Sequence, residues 1–105
     1  VVDCLEFNHD FRILDPVDEL AYLAMECDRL GAPFIDDWVF AAYGNRTSDR
    51  PPRILVEFYK CARAYLRAKI AIWHLDEPAV RESSKWTRRA GEYLRLAQDY
   101  SRRLA

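Results

Sequence analysis

Four carboxylates near the beginning of the chain are the residues with the clearest potential for chemistry. Asp3 follows an apolar pair in a strand-like segment, and Glu6 lies three residues further on. Asp15 and Asp18 follow a short loop, at the entry to a predicted helix. Carboxylate oxygens at the end of a strand are suited to hold a hard cation such as Mg²⁺ against phosphate oxygens. Asp15 fits a helix cap as well as a ligand, whereas no helix directly follows Asp3, so Asp3 is the stronger candidate for a metal ligand.

A second group of candidates is basic. Lys60, Arg63 and Arg67 are spaced by three and four residues, so they share one side of a predicted helix. The simplest interpretation of this side is a solvated face. The alternative hypothesis is that Arg63 or Arg67 contacts a phosphate or an acidic substrate.

The other metal-binding and nucleophilic residue types show no ligand spacing. His9 and His74 are far apart in the sequence, and Cys4, Cys27 and Cys61 include no C-x-x-C pair. The odd number of cysteines argues against a disulfide framework, so we expect all three to be reduced and mostly buried. The chain also contains no glycine-rich phosphate-binding motif and no H-E-x-x-H motif.

The elements that must position these residues are predicted to be mainly helices. Val1–Phe7 is the only strand-like segment, and one strand without partners does not make a stable sheet. Asp15 followed by proline marks the start of a first helix, which should run from Pro16 to Leu30 and stop at Gly31.

Two further helices follow. The second begins near Pro33 and ends at Gly44, before a polar loop over 45–49. The third starts at the two adjacent prolines after that loop and reaches about His74. The residues predicted to repeat along its buried side are Ile54, Phe58, Cys61, Ala62, Tyr65, Ala68, Lys69 and Ile72.

The fourth predicted helix starts near Pro78 and carries an apolar stripe with alternating steps of four and three residues. A seam of this spacing packs against another helix. The stripe consists of Trp86, Ala90, Tyr93, Ala97, Tyr100 and Leu104. Residues 1–105 are therefore predicted to form a single, mainly α subdomain of about four helices in a bundle-like arrangement, with a short N-terminal strand.

Composition and charge limit the classes of function. The chain has 105 residues, half of them hydrophobic, and 16 basic residues against 17 acidic ones give a net charge of −1. This balance gives no general reason to expect nucleic-acid binding. Because no apolar run approaches the roughly 20 residues that cross a bilayer, and no secretory signal is visible, we expect a cytoplasmic setting without membrane contact. The chain does not open with methionine, so we also expect it to be part of a longer polypeptide.

The segments 2–8 (VDCLEFN) and 11–26 (FRILDPVDELAYLAME) resemble the region after the catalytic loop in aminoglycoside-phosphotransferase-like kinases. Within that family they are similar to uncharacterised bacterial kinase-like proteins, which are often fused to a C-terminal P-loop ATP-binding domain. Residues 59–71 resemble a later helix of the same group. The resemblance implies an ATP-dependent, Mg²⁺-dependent small-molecule phosphotransferase, of which this chain matches part of the C-lobe of a protein-kinase-like fold.

The same resemblance implies roles for individual residues. Asp3 matches the acid that coordinates the magnesium ion bridging the nucleotide phosphates. Asp18 matches an acid at the start of the next helix, which accepts hydrogen bonds from the catalytic-loop backbone and supports its shape. The positions that would line the cleft or contact the acceptor substrate are Glu6, Asn8, Arg63 and Arg67.

Two parts of such a kinase do not occur in these 105 residues. One is the H-G-D-x-H-x-x-N element with the catalytic aspartate, and the other is the N-terminal lobe with its phosphate-anchoring lysine. Phosphoryl transfer needs these parts together, because it depends on positioning and on neutralisation of charge. We therefore expect this chain to contain no catalytic residue and to be inert alone, with the missing N-terminal lobe as its main partner.

A second functional class fits the same sequence. The chain could be a non-enzymatic helical interaction module that docks a partner helix, or dimerises, through the Trp86–Leu104 stripe. A kinase subdomain should have Asp18 near the base of a cleft that contains Asp3, whereas a docking module should leave the stripe exposed. Because a lobe separated from its other half exposes apolar surface, we also expect self-association.

Overall fold

The computed structural model describes residues 15–75 and 84–105, which form four helices. Their bounds are Pro16–Arg29 for α1, Phe34–Thr47 for α2, Arg53–His74 for α3 and Ser84–Leu104 for α4. The predicted mainly α fold is confirmed. The predicted strand at Val1–Phe7 and the predicted helix start at Pro78 lie outside the described residues.

The first helix begins and ends where the sequence predicts, to within a residue. The Asp15 carboxylate accepts a hydrogen bond of 3.0 Å from the backbone N–H of Val17, and Pro16 occupies the first helical position. This arrangement satisfies a backbone donor that the helix itself cannot pair. At the other end, Gly31 adopts φ +86°, a left-handed conformation that glycine reaches without steric cost.

The second helix is longer than predicted. It continues past Gly44 to Thr47, through residues that the sequence analysis assigns to a loop. The Thr47 hydroxyl donates to the carbonyl of Tyr43 at 2.7 Å, and the N–H of Ser48 donates to the carbonyl of Gly44 at 2.9 Å. These bonds complete a last helical turn, and a glycine inside a helix costs only about 1 kcal/mol. The predicted end at Gly44 is therefore wrong.

Helices α3 and α4 form the largest contact of the fold, and α1 packs across both of them. The predicted stripe on α4 is the buried seam of this contact, with Tyr93 and Tyr100 almost completely enclosed. Its outer members, Trp86 and Leu104, are partly buried. The prediction of a helix-packing seam is confirmed, and the helix that it meets is α3 of the same chain.

The buried side of α3 differs from the predicted one. Four of the large residues assigned to it are 46–62% exposed, namely Ile54, Phe58, Tyr65 and Ile72. The residues that α3 buries are Val56, Glu57, Lys60, Cys61, Ala64, Ala68 and Ala71. Only Cys61 and Ala68 belong to both sets. The prediction is wrong because it follows the bulk of the apolar side chains, whereas close approach of two helices favours small residues at the contact.

The core is dominated by alanine. Seven alanines are at most 7% exposed, and they are Ala21, Ala24, Ala64, Ala68, Ala71, Ala90 and Ala97. Met25, Tyr93 and Tyr100 fill the remaining space between α1, α3 and α4.

Although α3 has 22 residues, neither it nor another helix of the described ranges is long and apolar enough to cross a membrane.

Candidate functional site

The acids at the start of α1 are held by side chains of α3. The hydroxyl of Tyr59 donates a hydrogen bond to Oδ2 of Asp15, whose other oxygen caps the helix. Both oxygens of Asp15 are thus engaged within the fold. Of the two interpretations available for Asp15 in the sequence, the structure shows the helix cap.

Asp18 and Arg63, both chosen from the sequence as candidates, are in direct contact. Nε of Arg63 lies 3.0 Å from Oδ1 of Asp18, and its Nη2 lies 3.1 Å from Oδ2. The guanidinium also reaches Glu19 at 3.3 Å and covers the ring of Tyr22. The hydrogen bond to Asp18 raises the pKa of Arg63 above its ordinary value. The paired fork geometry fixes the orientation of the Asp18 carboxylate.

Arg67 has a different environment. Its guanidinium lies 5.6 Å from the centre of the Tyr93 ring, between α1 and α4. In the described ranges, its Nε is the only buried side-chain nitrogen or oxygen without a hydrogen-bond partner. A hydrogen bond with Tyr93 raises the pKa of Arg67. Arg63 and Arg67 therefore share a side of α3 but do not form one basic surface.

Three candidates cannot be located. Asp3, Glu6 and Asn8 lie outside the described residues. The predicted relation between Asp3 and the Asp18 carboxylate stays a prediction.

The most unusual side chain in the fold is Lys60, which the sequence analysis assigns to a solvated face. Its side chain is only 1% exposed. The ammonium Nζ lies 2.7 Å from Oδ2 of Asp28 on α1 and 2.5 Å from Oδ2 of Asp36 on α2. It also lies 4.8 Å from the centre of the Tyr100 ring on α4. The prediction of a solvated Lys60 is wrong, because this lysine joins all four helices.

Further charges extend this contact into a network. Arg53 binds Asp36 through two bonds of 2.6 and 2.8 Å and also binds Glu57 at 2.8 Å. Arg103 of α4 reaches the other oxygen of Glu57 at 3.3 Å. Burial by itself would raise the pKa of Asp36, but hydrogen bonds from Arg53 and Lys60 outweigh burial and hold this pKa below its ordinary value. Asp36 is therefore a buried anion that its neighbours keep charged.

The hydroxyl of Tyr100 completes the network by donating a hydrogen bond to Asp28. Burial and this bond to a carboxylate raise the pKa of Tyr100 well above its ordinary value. Tyr100 therefore keeps its proton and donates its hydroxyl hydrogen bond to the Asp28 oxygen that also contacts Lys60.

A cavity of about 340 Å³ opens beside this network. Its walls include Asp37 and Asp99 in addition to Asp28 and the buried Asp36 and Lys60. Asp37 forms no ion pair with another described residue. No group of three histidine, cysteine, aspartate or glutamate side chains in the described ranges has the geometry of a metal site.

Sequence reasoning missed Lys60 because a lysine between arginines at helical spacing is typical of a solvated face. One signal could have identified it. Glu57, Lys60 and Ala64 lie on the same helical side as Cys61 and Ala68, two residues that the pattern assigns to the core. Charged residues within an alanine-rich side indicate buried charges, which must find partners on other elements.

Comparisons with known proteins identify relatives but no function. A 70-residue stretch is 41% identical to the uncharacterised proteins Rv2004c and MT2060 of Mycobacterium tuberculosis and Mb2027c of Mycobacterium bovis. The match covers 67% of this chain and only 14% of each relative. No family model matches the chain, and no solved structure matches it. The chain thus corresponds to a small part of much longer mycobacterial proteins.

Proposed function

We propose that this chain is a C-terminal-lobe part of an ATP-dependent small-molecule phosphotransferase of the aminoglycoside-phosphotransferase-like family. The observation that carries the proposal is the fixed start of α1. The segment with the resemblance to the family leads into this helix, where α3 holds both Asp15 and Asp18. Contacts that fix the start of α1 would also hold the end of the preceding segment, whose Asp3 must be positioned against a nucleotide in this proposal.

The contacts of Asp18 support its proposed role. A carboxylate offers about four acceptor positions, and Arg63 occupies one on each oxygen. The Asp18 side chain remains 33% exposed. It therefore keeps capacity to accept hydrogen bonds from backbone N–H groups of a neighbouring loop, as the resemblance implies. In this proposal Arg63 positions Asp18 and does not contact the acceptor.

Mg²⁺ and ATP belong to the whole enzyme in this proposal. Asp3 would bind the magnesium ion, which neutralises charge on the transferred phosphoryl group. The described residues offer no set of three ligands, so further ligands would have to come from residues outside the described ranges. A cytoplasmic setting, where ATP and Mg²⁺ are available, is part of the same proposal.

The alternative function, docking through the Trp86–Leu104 stripe, has less support. Tyr93 and Tyr100 are at most 2% exposed, because α1 and α3 cover them. A partner helix at this stripe would have to displace one of these helices. No specific contact favours that exchange.

The test is a turnover measurement on a polypeptide that includes the proposed nucleotide-binding lobe and H-G-D element ahead of this chain. ADP release is measured with Mg-ATP and a panel of hydroxyl-bearing acceptors. Asp3→Asn should lower kcat by about a hundredfold or more, because it removes charge neutralisation from the transition state. Asp37→Asn, which changes an exposed carboxylate of α2, is the matched control and should leave kcat unchanged.

Two results would contradict the proposal. One is normal turnover by the Asp3→Asn variant. The other is ATP turnover by the 105-residue chain alone, which has no catalytic aspartate in an H-G-D element.

A further inference from the structure

Helix α2 is attached to the rest of the fold in an unusual way. Of its 14 residues only Asp36 and Gly44 are buried, so the one side chain that it encloses is a carboxylate. For comparison, α1 also has 14 residues and buries Val17, Ala21, Ala24 and Met25. Burial of apolar side chains is the main favourable contribution to packing. The attachment of α2 therefore includes no fully enclosed apolar side chain.

The large apolar side chains of α2 make only a modest contact with the other helices. Phe34 and Trp38 contact each other, with ring centres 5.2 Å apart, and they are 53% and 66% exposed. Phe40 and Tyr43 pack against the small cluster around Val17, but both are only partly buried. The backbone of α2 lies mainly against α1. Apolar packing thus gives α2 little direct connection to α3 and α4.

The polar connection depends on one residue. Among the described residues, every hydrogen bond and ion pair between α2 and another helix uses the Asp36 carboxylate. Its Oδ2 lies 2.5 Å from Nζ of Lys60, and Arg53 donates to its two oxygens at 2.6 and 2.8 Å. Both cations belong to α3. We call these contacts of Asp36 the latch.

The latch crosses a space that is not filled by side chains. The cavity of about 340 Å³ is lined on one side by Pro33, Asp36 and Asp37, at the start of α2. Its opposite wall includes Leu96 and Tyr100 of α4. Groups that line a cavity lack the dispersion contacts that closely packed helices make with each other. The start of α2 is therefore held against the α3/α4 pair by charge and not by close packing.

The connections on both sides of α2 are exposed. Before the helix, Leu30 and Gly31 are exposed, and a methyl group at Gly31 would meet no atom within 4 Å. After it, Ser48 and Asp49 are exposed as well. Hinges are a few loop or terminal residues that absorb changes in φ and ψ. Movement at these two connections would displace no closely packed side chain.

We propose that α2 is a hinged helix that the latch holds against α3, and that it opens as a unit while α1, α3 and α4 stay packed. Proteins open locally where few apolar contacts are buried. The core cluster around Met25 and Tyr93 joins the other three helices and includes no residue of α2. These three helices therefore keep their shared core when α2 opens.

Opening has a chemical consequence at the cavity. The wall formed by Pro33, Asp36 and Asp37 moves away, and Asp28 becomes the only carboxylate that binds the Lys60 ammonium. The latch thus controls whether water reaches a cation that is 1% exposed in the closed state. This inference does not depend on the proposed phosphotransfer.

The test is native-state hydrogen exchange of backbone amides in the full 105-residue chain, read separately for each helix. Amides in the middle of α2 should exchange at least about tenfold faster than those in the middle of α3. Asp36→Ala should speed exchange in α2 by about a further tenfold or more and leave the middle of α3 and α4 within about twofold. Asp37→Ala is the matched control, because both acids lie in the first turn of α2 and only Asp36 contacts α3. It should leave exchange in α2 unchanged.

A second variant acts on the latch from the other helix. Arg53→Met removes two hydrogen bonds to Asp36 but changes a side chain of α3 that is 52% exposed. It should speed exchange in α2 more than in the middle of α3, although the substitution is in α3. Lys69→Met, on the exposed side of α3, is its control and should leave α2 unchanged. Slow exchange in α3 and α4 verifies that each variant retains its fold.

Three results would overturn the proposal. One is exchange in α2 of the unchanged chain that is as slow as in α3. Another is an equal increase in all four helices of Asp36→Ala, which would mean that α2 separates only when the whole chain unfolds. The third is an equal effect of Asp36→Ala and Asp37→Ala, which would mean that both variants only fray the first turn of α2.

Discussion

At the scale of single residues, Lys60 determines how the four helices meet. A buried lysine is costly unless its charge is paired, and here two aspartates from different helices pair with it. The ring of Tyr100 lies next to the same ammonium group. The contacts therefore specify one arrangement of α1, α2 and α4 around α3.

Replacing this lysine should be far more harmful than replacing an exposed one. Lys60→Met keeps most of the side-chain volume but leaves the buried Asp36 and the largely buried Asp28 without their shared cation. We expect the free energy of unfolding to fall by about 3 kcal/mol, at the lower end of the range for a broken buried ion pair because Arg53 and Tyr100 still bind the two acids. Urea denaturation followed by circular dichroism measures this change.

Lys69→Met is the matched control, because it makes the same substitution on the exposed side of α3. It should change the free energy of unfolding by no more than about 0.5 kcal/mol. Equal effects of the two substitutions would show that the Lys60 contacts do not stabilise the fold.

At the scale of helices, two glycines provide a test of backbone geometry. A methyl group at Gly91 of α4 would meet no atom within 4 Å, and this glycine lies in an ordinary helical conformation. Gly91→Ala should therefore stabilise the chain by about 0.5–1 kcal/mol, because alanine has the higher helix propensity.

Gly31 serves as the contrasting position, because it also has open space but a φ of +86°. Gly31→Ala should destabilise the chain by about 1 kcal/mol, since the left-handed conformation is strained for alanine. Thermal unfolding of the two variants should shift in opposite directions. Shifts of the same sign would contradict the assigned conformations.

The helices also show how far the sequence predicts the fold. The start of α1 and the seam of α4 follow from local signals: Asp15 before a proline, and apolar residues at regular spacing. The side of α3 does not follow from such signals, because Phe58 and Tyr65 outweigh Ala64 in any pattern based on hydrophobicity. Which side is buried depends on the fit against α4, and that fit is a tertiary property.

The sequence predicts the candidate site to a similar extent. The sequence identifies the acids at the start of α1, and the contact between Asp18 and Arg63 brings two candidates together. The sequence predicts the wrong environment for Lys60, because its partners Asp28 and Asp36 come from other helices. No local pattern relates residues that meet only after the helices have packed.

At the scale of the whole molecule, the paired charges predict how stability depends on pH. The pKa of Asp36 is lower in the folded chain than in the unfolded one, so its contribution to stability is present above the unfolded pKa. That contribution is lost as the pH falls through the folded pKa. We expect the free energy of unfolding to be steady down to about pH 5 and to decrease below about pH 4.

Asp36→Asn should flatten this decrease in acid, because asparagine does not titrate. Asp37→Asn changes the exposed neighbour and should leave the decrease in the free energy of unfolding at low pH unchanged. Urea titrations at a series of pH values provide the measurement. If Asp36→Asn shows the same decrease at low pH as the unchanged chain, other groups cause the loss of stability.

The alanine core has a consequence for which substitutions the fold can accept. In a core of large side chains, a random change removes atoms and leaves a void. At the seven buried alanines the side chain is already the smallest that has a Cβ atom, so nearly every change there adds atoms to a tightly packed contact. Substitutions at these alanines should therefore destabilise the fold by crowding, with helices forced apart.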